Sequence, residues 1–142
     1  MKKRTFLLLE IILAFSLVTI CIIPLVRQPL KLYKDEMKYL EKMELERLAD
    51  WTFTEVKEIL LKNEIPWERI PAKSEETKPF SLPSVSIQIP GCRVKEVERS
   101  FVLTGRGEKK GAKETLYRQL GVYIFLNGEK YTFRIPVERV VE

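Results

Sequence analysis

From Phe6 to Val26 the chain runs through twenty-one residues in which Glu10 is the only charged side chain, directly after Lys2, Lys3 and Arg4. An α-helix needs about 20 apolar residues to cross a hydrocarbon core of about 30 Å, so this run is long enough to span a membrane. Three cations ahead of it and a long mixed-charge segment behind it predict a cytoplasmic N-terminus and an exported C-terminal part, by the bias of Lys and Arg toward the cytoplasm. Within 142 residues that leaves room for one small domain outside the span.

Glu10 makes the segment informative, because an acid deep in a membrane helix costs on the order of 2.5–3.5 kcal/mol and less near the helix start. The order is a basic leader, Met1-Lys-Lys-Arg-Thr5, then Phe6-Leu-Leu-Leu-Glu10, then Ile-Ile-Leu-Ala-Phe-Ser-Leu-Val. It resembles the class III signal of type IV pilins and type II secretion pseudopilins. The resemblance covers about the first 25 residues. It implies cleavage between Thr5 and Phe6 by a prepilin peptidase, methylation of the new amino terminus, and a role for Glu10 in docking each subunit into a filament. The implied partners are other pilin or pseudopilin subunits, the peptidase and an inner-membrane assembly platform. The implied location is the bacterial inner membrane, with the C-terminal part periplasmic. In the family the leader ends in Gly, and Thr5 stands in that place here.

The spacing also has a physical sense of its own. If Phe6 becomes the first residue, Glu10 lies one helical turn from a charged amine, at about 1.5 Å rise per residue. An amine and a carboxylate buried in lipid each cost less when paired, so Glu10 of one subunit facing Phe6 of the next would fix an axial register. Two other readings fit the same N-terminal segment. One is a single-pass scaffold that keeps its leader and displays an exported interaction domain. The other is a lipoprotein cut before Cys21, against which stands Ile20, a large β-branched residue where a small one is expected.

Beyond the span, composition excludes more than it suggests. Setting aside the three leader cations and Glu10 leaves 22 Lys and Arg against 19 Asp and Glu, too balanced for a nucleic-acid surface. Cys21 and Cys92 fall in the span and the exported part, so they do not form a disulfide framework; Cys92 reads as a buried thiol or an interchain partner. The chain has no histidine, which removes the Ser-His-Asp and Cys-His arrangements and most zinc sites. No cofactor, metal or reaction is expected. The basic, Gly-rich stretch Thr104–Lys113 lacks the Ser or Thr and the strand-to-helix setting of a phosphate loop, and reads as a solvated hairpin tip. Glu96 and Glu98 read as ordinary outward-facing charges on a strand.

The expected fold is α+β, with the membrane helix extended by a long amphipathic helix that packs on a small antiparallel sheet. A bend is expected near Pro24 and Pro29. Residues 27–63 form the amphipathic segment, with Tyr33, Met37, Leu40, Leu48, Trp51 and Ile59 on its apolar face. Thr52 and Glu55 fit a capping box, so the helix either breaks there or continues. Residues 64–83, rich in Pro, read as an irregular connection. Residues 84–142 read as strands at 84–89, 94–104, 117–126 and 130–135 with a short edge at 137–141, and Asn127-Gly128 signals a two-residue hairpin.

Overall fold

The computed structural model describes residues 2–89, 91, 94–111 and 115–140, with residues 2–5 and 140 described in their backbone only. Among the described residues one helix, α1 (Lys2–Leu61), precedes a 3-10 turn at Trp67–Arg69 and five strands: β1 (Lys73–Glu76), β2 (Phe80–Ile87), β3 (Lys95–Lys110), β4 (Thr115–Leu126) and β5 (Glu129–Val140). The architecture is α+β. The chain divides within α1 into two compact units, Met1–Glu41 and Lys42–Glu142.

In the first unit α1 is helical throughout the described residues, with Pro24 and Pro29 inside it. Each proline lacks an N–H, so the carbonyls of Ile20 and Leu25 lose their helix partners. The hydroxyls of Ser16 and Thr19 donate to the carbonyls of Leu13 and Phe15 on the same helix. Those bonds satisfy two polar groups without any partner outside the helix.

The second unit is built on β3. All strand pairs are antiparallel; β4 pairs with one edge of β3 and β5 with β4. The other edge of β3 is shared, β2 lying against Lys95–Phe101 and β1 against Thr104–Arg106. One face of this sheet carries Val97, Phe101, Leu103, Leu120, Val122, Ile124 and Leu126, all buried. The Lys42–Leu61 part of α1 covers it with Leu45, Leu48, Ala49, Thr52, Val56 and Leu60, a run of three- and four-residue steps that lines up on one side of a 3.6-residue helix. Each large side chain buried there contributes about 1.5–3 kcal/mol. Phe53 stacks on Phe133 with ring centroids 4.4 Å apart, tying the helix to β5.

Several expectations are corrected. Leu48 is buried and Ile59 half-buried, but Trp51 is 54 % exposed. It lies about 100° round the helix from the packing face, where its ring covers the Arg99 guanidinium at 5.0 Å. Thr52 and Glu55 do not cap a helix start; both sit inside unbroken α1 and bind Arg99. The connection at 64–83 contains β1 and the first half of β2. The expected strand at 84–89 is in fact β2, starting at Phe80, with Pro83 at the irregularity between Leu82 and Val85. Proline is tolerated there because an irregular ladder does not need its N–H. Of the stretch Thr104–Lys113 expected as a solvated hairpin tip, Thr104–Lys110 is the end of β3, and residues 112 and 113 lie outside the described residues. Gly105 is required there, since a Cβ would come within 2.7 Å of the Pro71 carbonyl oxygen. The edge expected at 137–141 is, over 137–140, the continuation of β5, and residue 141 lies outside the described residues.

The hairpin at Asn127-Gly128 has φ of 48° and 87°, the left-handed pair that a two-residue turn requires. The α1 end is also fixed locally. Asn63 at φ 55° lets its N–H reach Leu60 O while Glu64 N–H reaches Ile59 O, the paired bonds of a Schellman motif. In a two-residue hairpin the residues flanking the turn bond each other, so even-numbered N–H groups of β5 point off the sheet. Pro136 falls in that outward set and blunts the exposed edge.

Tyr131 on β5 donates from its hydroxyl to Glu129 Oε2 at 3.0 Å. Burial first, then that bond and the negative charges of Glu129 and Glu46, push its pKa from 10.0 up to about 12. The folded state keeps this proton where the unfolded chain has lost it. Stability is therefore intact below pH 10 and falls as pH rises from about 10 to about 12. Glu129→Gln should bring the phenol back part of the way, still above its ordinary value because burial remains. Absorbance titration of the phenolate in both proteins reads this directly, and an unchanged curve would remove Glu129 as a cause.

Candidate functional site

The residues that carry the sequence signal lie in the first unit. Phe6 and Glu10 are four residues apart in α1, so their side chains share one face, and both are exposed. Phe6 is 73 % exposed. Thr5 is described in its backbone only, as a helical residue before Phe6. Every large apolar side chain from Phe6 to Val26 lies open, from 47 % at Ile23 to 73 % at Phe6 and Phe15. Apolar surface on this scale is covered by lipid or by other chains when the protein is in its working environment. Among the described residues this is one helix long and apolar enough to cross a membrane.

Charge around the span is closer to balance than the leader alone suggests. Lys2, Lys3 and Arg4 precede it, but Arg27, Lys31 and Lys34 follow within two turns of its end. Since acids count little in the orientation rule, the number of cations does not by itself choose a direction. Cys21 is an exposed free thiol inside the helix. Cys92 lies outside the described residues.

In the second unit two arginines tie distant parts of the fold together. Arg99 on β3 is 4 % exposed. It donates through Nε to Pro83 O at 2.8 Å and through Nη1 to Glu55 Oε2 at 2.7 Å and Thr52 Oγ1 at 3.2 Å. Arg118 on β4 does the same for the loop after α1. It donates to the carbonyls of Trp67 at 3.0 Å and Ile70 at 2.7 Å and to Glu108 at 2.7 Å, with its guanidinium 4.3 Å from the Trp67 ring centre. Each arginine joins a carboxylate, at least one backbone carbonyl and a tryptophan, the fit a planar five-donor fork makes and lysine does not. Sequence reasoning missed both. The available signal for Arg99 was a cation in the inward phase of an otherwise apolar strand, at Val97-x-Arg99-x-Phe101-x-Leu103.

No group of three or more His, Cys, Asp or Glu side chains is placed to hold a metal among the described residues. A cavity of about 660 Å³ runs between the end of α1 and β5 past Leu60, Trp67, Ile135 and Pro136. Its charged lining, Glu68, Glu138 and Arg139, is exposed, so no desolvated acid or base is held ready there. Glu96 and Glu98 face solvent, Glu96 accepting from the Ser84 hydroxyl. The feature that sets this chain apart is thus the uncovered apolar helix with one acid in its first turns. The chain matches no protein-family model, no curated protein and no solved structure.

Proposed function

We propose that this protein is a structural subunit of the minor pilin or pseudopilin kind, held in a bacterial inner membrane by α1 and assembled through that helix into a filament of a type II secretion or type IV pilus system. The observation that carries the proposal is Glu10 one turn after Phe6 on an open apolar helix, behind a leader of three cations. Cleavage after Thr5 would turn Phe6 into a charged amine that Glu10 of a neighbour neutralises in lipid. The leader resemblance, not the charge count, gives the orientation with the second unit in the periplasm. The chain itself performs no reaction on this reading.

Thr5 in place of the family's Gly supports a second reading, an anchored scaffold that keeps its leader and presents the α+β unit to another envelope protein. A photo-cross-linking residue at Leu13, one turn past Glu10, separates the two in the native host. Subunit assembly gives a ladder of self-adducts. Exclusively monomer, or an adduct to a single different protein, would rule assembly out.

A further inference from the structure

The two turns of α1 that follow the apolar span hold Arg27, Lys31 and Lys34, with no acid before Asp35. Spacings of four and three residues put the three cations on one face of the helix, and all three are exposed. Among them stand Leu30, Leu32 and Tyr33, which are 56 %, 70 % and 52 % exposed. Leu30 and Tyr33, three residues apart, share one side of the helix, and at about 100° per residue Leu32 points at least that far round from both. A protein partner seated on one of these two sides would leave the other wet. A bilayer surface surrounds the helix, accepting apolar bodies on every side and cations at the level of its phosphates.

Distances agree with that environment. Lys31 lies about 6 Å and Lys34 about 10 Å along the axis from Arg27 at the helical rise. The headgroup layer on each side of the hydrocarbon is roughly 5–8 Å thick, and long cationic stems reach back toward it. We propose that Arg27, Lys31 and Lys34 form a collar that binds the anionic phosphate headgroups of the leaflet at which the apolar segment ends. This inference rests on the membrane-spanning reading of Phe6–Val26 but not on filament assembly. The collar draws anionic lipid around the subunit and sets the depth at which Arg27 stops, so the helix is held axially by charge as well as by apolar length.

The test uses the full chain reconstituted in phosphatidylcholine vesicles, with a Tyr33→Trp reporter read as the difference from the parent protein. Brominated phosphatidylglycerol or brominated phosphatidylcholine is added at equal mole fraction as a contact quencher. The expected result is roughly fivefold or greater enrichment of the anionic lipid at the reporter, since each cation near the surface favours it by about that factor. Combining Arg27→Gln, Lys31→Gln and Lys34→Gln should bring the two lipids to equality, and high salt should do so in part. Equal quenching by both lipids in the unsubstituted collar would overturn the proposal while leaving the span intact. Quenching by neither would place the segment away from the bilayer and overturn the membrane reading with it. Loss of the anionic excess on adding inorganic phosphate at constant ionic strength would assign the cations to free phosphate and also overturn the proposal.

Discussion

Glu55→Ala lowers the stability of the Lys42–Glu142 unit by about 3 kcal/mol, because it leaves the Arg99 guanidinium buried without a counter-charge, beside a hydroxyl, a carbonyl and the Trp51 ring. The pair is asymmetric: the Arg99 side chain is 2 % exposed and the Glu55 side chain 32 %. A lone Glu55 can take water; a lone Arg99 cannot. Arg99→Met therefore costs less, about 1 kcal/mol, as the thioether fills the space and the stranded carboxylate hydrates. Combining the two substitutions should cost less than Glu55→Ala alone. Urea unfolding of the full chain in mild detergent, followed through the tryptophan signal, gives the order of midpoints. If Arg99→Met proves as damaging as Glu55→Ala, the charge is not what the site stabilises, and shape is.

Glu10→Ala should abolish assembly while leaving the protein in the membrane. Removing an acid from the start of a spanning helix eases insertion by up to about 2 kcal/mol, so loss of filaments cannot be ascribed to failed anchoring. The proposed contact is between subunits, and a chain that keeps only the Phe6 amine carries an uncompensated charge into the filament core. Glu10→Gln separates charge from hydrogen bonding: it keeps the amide oxygen but cannot neutralise the amine, and should also fail. Filament yield in the native host, scored beside the membrane content of each variant, is the measurement. Normal assembly by Glu10→Ala would remove Glu10 from the mechanism.

What was legible in the sequence, and what was not, follows from the range of the interactions involved. The apolar span and the Asn127-Gly128 turn are set by neighbours in sequence, and both stand where the residues place them. Strand ends depend on partners far along the chain. β1 exists because β3 runs past the end of β2 and offers Thr104–Arg106 as an unpaired edge, which no local pattern in Lys73–Glu76 announces. The apolar face of α1 holds at Leu48 and in part at Ile59 but not at Trp51, because large side chains draw the stripe in the sequence while the buried positions include the small Ala49 and the polar Thr52. Thr52 and Glu55 looked like a helix start for the same reason. Their partner, Arg99, lies 47 and 44 residues away. Phe6 and Glu10 needed only four residues of sequence to be seen.

Intact-mass and N-terminal analysis of the protein extracted from the membranes of its own host tests the central claim most directly. The expected product is a chain that begins at Phe6 and is heavier than that sequence by about 14 Da, the mass that one N-methylation adds. A chain still carrying Met1 to Thr5 would contradict it, showing that Thr5 blocks processing and that the helix serves as an anchor without assembling.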